Sequence, residues 1–120
     1  MNLLGNDIIY LPHFKDSLNA SFIRRVYTEE EKAYCHRFNE PLLRFASTFA
    51  AKEAVYKALK QWNTKISIPW KKIEIQRARI AGIPTVHLTG DMPEAVKFSL
   101  SISHDGDYVW ALALCMIDEE

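Results

Sequence analysis

The stretch that decides the fold runs from Phe49 to Ala58 and reads F-A-A-K-E-A-V-Y-K-A. It lies within a run from Pro41 to about Gln61 that is rich in helix-forming residues and has no glycine or internal proline. At about 100° per residue, its apolar side chains cover most of the helix circumference rather than one stripe. We therefore expect a long helix that is buried on more than one side.

Glu53 and Lys57 lie four residues apart in this helix and therefore face the same way. A helical projection places them between Phe49 and Ala50, in a sector where burial is expected. A buried charge there would need a partner, a metal or a ligand phosphate. The plainer interpretation, which this helix alone favours, is an ordinary ion pair on a solvated strip.

The composition limits the class of protein. A chain of 120 residues predicts a single domain spanning 1–120. Fifteen basic and fifteen acidic residues give no net charge, which argues against a general binder of nucleic acid or anionic membranes. We see no signal peptide and no apolar run long enough to span a membrane, so we expect a cytoplasmic protein with Cys35 and Cys115 as free thiols.

The segments around the central helix predict an α+β protein. Two further helices are expected at 13–26 and, after a capping box at 28–31, up to about 38. Residues 94–97 are expected to form a helical turn at most. Apolar alternation and turn signals predict five strands, at 3–11, 70–77, 84–88, 98–104 and 108–117. The second and third form a hairpin, and the almost wholly apolar last strand should be central in the sheet.

Two carboxylates stand in unexpected places. Asp7 interrupts an apolar strand, and Glu53 lies on the central helix. Two carboxylates without a Cys or His cluster suggest a hard cation, Mg²⁺ rather than Zn²⁺, and a nearby lysine suits a phosphate. The plainer interpretation of Asp7 is a turn or edge residue. The sequence argues against a catalytic triad of Ser103, His104 and Asp105. The side chains of neighbouring residues in a strand point to alternate faces of the sheet and therefore cannot act on one another.

Four segments, in order, carry a resemblance to a known family. They read G-N-D-I at 5–8, F-I-R-R-V-Y-T-E-E-E at 22–31, F-A-A-K-E-A-V-Y-K-A at 49–58 and S-I-S-H-D at 101–105. Together they resemble the small holo-acyl-carrier-protein synthase class of 4′-phosphopantetheinyl transferases, and W-K-K-I-E-I at 70–75 is similar to a usual hairpin strand of that class.

The resemblance implies an antiparallel sheet packed on the long helix, in a homotrimer with active sites at subunit interfaces. A neighbouring subunit would then cover one side of the helix. The implied reaction moves the 4′-phosphopantetheine arm of coenzyme A to a serine of an apo acyl carrier protein, as in fatty acid biosynthesis. Adenosine 3′,5′-bisphosphate is released.

The resemblance also implies residue roles. Asp7 and Glu53 would hold Mg²⁺, Lys57 would contact the phosphates and help stabilise the leaving group, and Asp105 would polarise the incoming serine. The residues expected to contact coenzyme A are Arg44, Lys52, Lys57, Ser101, Ser103 and His104. For Lys52, which would contact the nucleotide, a neighbouring subunit is the alternative partner. Those expected to contact the carrier protein are Lys15, Arg24 and Arg25, although surface solvation is the plainer reading of any one of these.

The chain also departs from the family pattern. Thr48 stands where a phosphate-contacting arginine is expected, and Lys60 replaces a common glycine. His13, Leu18 and Ser21 lie where several arginines usually grip the carrier. These departures favour an alternative, a family-like protein that binds coenzyme A or a carrier without transfer. A third hypothesis is an unrelated metal-dependent phosphohydrolase.

Overall fold

The computed structural model describes residues 1–77, 82–90 and 96–118. Within them a long helix packs on a three-stranded antiparallel sheet of order β1-β5-β4, and β2 and β3 form a separate hairpin. The elements are β1 (Asn2–Tyr10), α1 (Leu11–Ser17), α2 (Ala20–Val26), α3 (Glu29–Cys35), α4 (Pro41–Trp62), a 3₁₀ turn (Trp70–Lys72), β2 (Ile73–Arg77), β3 (Pro84–Leu88), β4 (Val96–Asp105) and β5 (Tyr108–Ile117). The predicted α+β class and the central position of β5 are confirmed.

Three predicted boundaries were wrong. The helix expected at 13–26 is two helices, because Asn19 is extended and its side chain accepts a hydrogen bond from the Phe22 amide, starting α2. The beginning of the strand expected at 70–77 is a 3₁₀ turn. In the helical turn expected at 94–97, residues 94 and 95 lie outside the described part, and Val96 and Lys97 belong to β4. The capping box of Thr28 and Glu31 is confirmed.

Helix α4 is buried around most of its circumference, as its sequence predicts. It packs on β1, β5 and β4 on one side and on α1, α3 and β2 on the others. These elements of the same chain account for most of the burial, but Lys57 and Gln61 on the remaining side of the helix are exposed. Contact of a neighbouring subunit with that side stays a prediction. The fully buried apolar side chains of α4 are Phe45, Ala46, Ala50, Ala51, Ala54, Val55, Ala58 and Leu59.

Strand β1 and helix α4 approach each other most closely at Gly5. A Cβ atom at this position would lie 1.9 Å from the carbonyl oxygen of Ala54 and 2.7 Å from the amide nitrogen of Ala58. No side chain fits there, so glycine is required by the contact between two backbones. Gly5 therefore fixes the height and position of α4 over the sheet.

A buried ion pair joins α4 to α3 and β2. The ammonium of Lys52 contacts Glu31, and both side chains are fully enclosed. Glu31 also accepts hydrogen bonds from the amides of Thr28, at 2.9 Å, and Ile75, at 2.8 Å. Burial lowers the pKa of Lys52, and the carboxylate of Glu31 opposes that effect. The prediction that Lys52 contacts the nucleotide or a neighbouring subunit was wrong, because its charge is used inside the core.

The sheet has a second face, turned away from α4, that carries large apolar side chains. Ile8 and Trp110, paired across β1 and β5, are 65% and 48% exposed. We call this surface the outer face; its exposed apolar residues are Leu4, Ile8, Tyr10, Tyr108, Trp110 and Leu112. An apolar patch of this kind is typical of an interaction surface.

Both cysteines are buried and unpaired in the described part of the chain, as predicted. Burial is the main reason why the pKa of Cys35 is raised to about 11. Among the described segments, no helix has the length and apolar character needed to cross a membrane.

The close approach at Gly5 gives a stability prediction. Gly5→Ala should lower the free energy of unfolding by about 3 kcal/mol or more, because a methyl group must displace α4 from the sheet. Urea unfolding followed by circular dichroism measures this loss. Gly106→Ala is the control: its φ of 56° is unfavourable for alanine but its surroundings are open, so it should cost only about 1–2 kcal/mol. Equal losses in the two variants would contradict the packing argument.

Candidate active site

Asp7 and Lys57 meet where β1 passes under α4. Strand alternation places Asp7 on the same face as Gly5, toward the helix. The Lys57 Nζ donates a hydrogen bond to Asp7 Oδ1 at 2.8 Å and another to the carbonyl oxygen of Asn6 at 3.1 Å. The side chain of Asp7 is 14% exposed and that of Lys57 is 49% exposed. The ion pair therefore lies at the surface, with its lysine accessible to solvent.

Glu53 lies one turn before Lys57 and has no hydrogen bond or ion pair in the described part of the chain. Its pKa is raised, chiefly because partial burial disfavours the charged form, and further because of the negative charge of Asp7. Lys57 opposes this shift. Two carboxylates thus repel each other beside a single ammonium. Because Lys57 pairs with Asp7, the plainer interpretation of a Glu53–Lys57 ion pair was wrong.

This pair of carboxylates fits a hard divalent cation. Asp7 and Glu53 offer oxygen ligands, and a cation between them would relieve the repulsion that raises the pKa of Glu53. In the part of the chain that the structure describes, no group of three His, Cys, Asp or Glu side chains could hold a metal. A site with two protein ligands suits Mg²⁺, which usually completes its shell with water and substrate phosphates.

A second group of charges lies near the other end of α4. Arg44, Arg77 and His104 line one cavity of about 210 Å³, together with Tyr34 and Ser47. We call this cavity, with the side chains of Arg44, Arg77 and His104 that line it, the cationic pocket. Arg44 and Arg77 have no carboxylate within salt-bridge distance among the described residues. Arg44 and His104 were predicted to bind coenzyme A, and their contact with a ligand stays a prediction.

Arg77 is a residue of this pocket that the sequence did not point to. Its Nη1 donates a hydrogen bond to Thr48 Oγ1 at 3.0 Å, its Nη2 donates one to Ser47 Oγ at 3.3 Å, and the guanidinium lies 4.2 Å from the ring centre of Tyr34. Partial burial lowers its pKa. A basic residue at the end of a short hairpin strand carries no pattern that distinguishes it from a surface charge.

The segment S-I-S-H-D divides between the two faces of the sheet. His104 pairs with the buried Val109 and faces the side of α4. Ser101, Ser103 and Asp105 pair with Leu112, Trp110 and Tyr108, which places them on the outer face. Within one chain these three residues therefore cannot act with Glu53 or Lys57. Their predicted contacts with coenzyme A and with the carrier serine stay predictions that depend on a second subunit.

The two charged groups on the inner side are also separate from each other. Arg44 and Glu53 are nine residues apart on α4, or about 13 Å along the helix axis at 1.5 Å per residue. Lys15, Arg24 and Arg25, the predicted carrier contacts, are exposed in the last turns of α1 and α2. Their role stays a prediction.

Comparisons with known proteins agree with this architecture. Residues 3–113 match the family model described as the 4′-phosphopantetheinyl transferase superfamily. The holo-acyl-carrier-protein synthase of Syntrophotalea carbinolica is 36% identical over 117 residues, covering 90% of this chain and 90% of that protein. The synthase of the same name from Chlamydia felis is 35% identical over 120 residues, covering 95% of this chain and 96% of that protein.

Solved structures match over almost the whole chain. A Chronobacterium ammoniagenes ACPS–CoA complex has a TM-score of 0.86 and 27% sequence identity, and 99% of each chain is covered. A holo-acyl-carrier-protein synthase from Bacillus anthracis, in complex with CoA (3′,5′-ADP), has a TM-score of 0.78 and 27% identity, and 94% of each chain is covered. With its strand-to-helix pair of carboxylates and its sheet of order β1-β5-β4, this chain belongs to the 4′-phosphopantetheinyl transferase superfamily.

Proposed function

We propose that this chain is a Mg²⁺-dependent holo-acyl-carrier-protein synthase, with residues 1–120 acting as one domain. It transfers the 4′-phosphopantetheine arm of coenzyme A to a serine of an apo acyl carrier protein. The observation that carries the proposal is the group formed by Asp7, Glu53 and Lys57, two adjacent carboxylates and an accessible ammonium where β1 crosses α4. Relatives with the same name and structures of relatives with coenzyme A support it.

The reaction is a phosphoryl transfer. The serine oxygen of the carrier forms a bond to the phosphorus that bears the pantetheine arm, and the bond from that phosphorus to the bridging oxygen of the diphosphate breaks. The serine proton passes to water, and adenosine 3′,5′-bisphosphate leaves with the electron pair of the broken bond. Such a reaction depends mainly on positioning and on neutralising charge rather than on a protein nucleophile. Bound Mg²⁺, held by Asp7 and Glu53, would neutralise charge on the diphosphate.

Lys57 is the residue that links the carboxylates to the phosphates. Its ammonium is half exposed and contacts Asp7 in the free protein. A cation at Asp7 would weaken this attraction, because it would neutralise the carboxylate that holds the lysine. The ammonium, which has three donors, is then available to a phosphate oxygen and to the negative charge that develops on the leaving group.

The outer face supports a trimer, which remains part of this proposal. It exposes large apolar side chains on β1 and β5, and its edge on β4 carries Ser101, Ser103 and Asp105. Contact between outer faces of different copies would cover the apolar surface and place these polar residues at the interface between copies. We also place the protein in the cytoplasm, where the thiols of Cys35 and Cys115 remain reduced.

Removal of one proposed metal ligand should slow the transfer of the arm to the carrier. Glu53→Gln should lower the rate of carrier modification by about 100-fold, since charge stabilisation by a metal is worth several kcal/mol and each 1.36 kcal/mol is a factor of ten. The measurement is the mass of apo acyl carrier proteins incubated with coenzyme A, Mg²⁺ and enzyme.

The matched control is Glu40→Gln, which removes an exposed carboxylate at the start of the same helix and should leave the rate within twofold. Full activity of Glu53→Gln would show that the site is misplaced. Wild-type protein that modifies no carrier in a panel, yet binds coenzyme A, would favour the alternative of a binding protein without transfer.

The raised pKa of Glu53 gives a second prediction, on stability. Because the folded protein prefers the neutral carboxyl, Glu53 stabilises the fold below its unfolded pKa, and this contribution is lost as the pH rises through the folded pKa. Without metal, Glu53→Gln should therefore melt at a higher temperature than the wild type at pH 7 and at the same temperature near pH 4.

Thermal melts at the two pH values, each with and without Mg²⁺, measure this difference. Mg²⁺ at pH 7 should raise the melting temperature of the wild type and leave that of Glu53→Gln unchanged. A variant that melts below the metal-free wild type at pH 7 would contradict the unfavourable environment inferred for Glu53.

The proposed trimer can be tested by mass. Light scattering should give about three times the 13.9 kDa of one chain. Ile8→Glu, which places a charge in the centre of the outer face, should lower the mass to that of one chain. Ile83→Glu, at a 60% exposed apolar residue outside that face, should keep the trimer. A wild-type monomer at micromolar concentration would disprove the assembly.

A further inference from the structure

We infer that Arg77 binds a phosphate group of coenzyme A in the cationic pocket, and that Thr48 and Ser47 are positioning residues that hold its guanidinium there. The inference rests on the proposed function for the identity of the ligand. It assigns a binding role to a residue on the hairpin strand β2. It also explains why Ser47, in the wall of the cavity, and the buried Thr48 beside it both accept hydrogen bonds from one guanidinium.

Arg77 lacks a counterion among the described residues. Arg77 is half buried, and desolvation lowers its pKa, which means that its charge is unfavourable where it lies. In the described part of the chain its polar side-chain partners are the hydroxyls of Thr48 and Ser47, and no carboxylate contacts it. Arg44, in the same cavity, packs its guanidinium 4.1 Å from the ring centre of Phe38 and likewise forms no salt bridge there. Two partly desolvated cations side by side favour an anion between them.

The guanidinium of Arg77 is held in one orientation by two hydroxyls and an aromatic ring. Ser47 donates its own hydroxyl proton to the carbonyl oxygen of Arg44 at 3.1 Å, so its lone pairs are left to accept from Arg77. Thr48 accepts from the other terminal nitrogen, and the ring of Tyr34 supports the flat face. A guanidinium has five N–H donors; two are used here, and three remain. Its orientation is therefore fixed while most of its donors are free.

The side chains that line the cavity include the kinds of donor that bind phosphate. Arg44 and Arg77 provide planar, permanently charged forks that match phosphate oxygens, and His104 adds a further donor at the edge of the sheet. Coenzyme A carries two kinds of phosphate, the ribose monoester and the diphosphate. Both present anionic non-bridging oxygens to such a pocket, so the experiment must separate them.

The test compares Arg77→Met with the wild type in binding and in kinetics. We expect at least a tenfold weaker affinity for coenzyme A by calorimetry and a similar rise in KM for coenzyme A. The KM for the carrier and the kcat should stay within twofold. Arg77→Lys should be intermediate, because it keeps the charge but not the fork. If the ligand is the ribose monoester, the effect disappears with 3′-dephospho-coenzyme A; if it is the diphosphate, the effect persists.

Two controls make the test specific. Arg37→Met removes a guanidinium from an exposed position after α3 and should change coenzyme A affinity less than twofold; an equal loss in both variants would overturn a specific contact. The double variant Ser47→Ala with Thr48→Val keeps the charge of Arg77 and its packing but removes both acceptors. It should weaken binding about threefold, and wild-type affinity here would overturn the positioning role even if Arg77→Met does not fold.

The inference and the proposed function can fail separately. Transfer by the wild type with unchanged coenzyme A affinity in folded Arg77→Met would overturn the inference alone. Binding of coenzyme A that depends on Arg77, in a protein that modifies no carrier, would overturn the transfer activity alone. A wild type that binds no coenzyme A would overturn both.

Discussion

The close approach of α4 to β1 is the constraint on which the candidate active site depends. Gly5 lets the backbone of Ala54 come within a distance that no side chain would permit. Two residues further along the strand, Asp7 lies on the same face and therefore reaches Lys57 and faces Glu53. The proximity of the two carboxylates is thus a consequence of one missing Cβ atom, and the position of these proposed metal ligands is set by packing rather than by a loop.

A second constraint, the buried pair of Lys52 and Glu31, acts on the other group of charges. Glu31 holds the amide of Ile75, two residues before Arg77 on β2. The hairpin strand is thereby fixed to α3 and α4, which brings the guanidinium of Arg77 to Ser47 and Thr48. The charge of Lys52 is used inside the core, yet the buried pair helps to fix the position from which β2 presents the guanidinium of Arg77.

The sequence predicts the long helix, its burial, the succession of strands along the chain and the central position of the last strand, because each depends on local periodicity or on turn signals. The metal role of Asp7 and Glu53, which lie far apart in the sequence, follows from the resemblance and stays a prediction. The sequence does not predict the partner of Lys52, since that depends on where α3 and β2 pack. It also misses Arg77, whose role depends on two hydroxyls 29 and 30 residues away. Alternation alone could have placed His104 on the opposite face from Ser101, Ser103 and Asp105, because only the histidine has an even residue number among these four.

Thr48 is where these observations meet. In the family pattern an arginine is expected at this position, and its replacement by threonine would remove one cation from α4. The structure shows a fully buried threonine whose hydroxyl holds a guanidinium from β2 instead. The positive charge near this turn of the helix is therefore retained, but it comes from another element. Thr48 is therefore weak support for the loss of transfer. Under our inference, the chain keeps a phosphate contact because an arginine on β2 replaces the arginine that the family pattern places on α4.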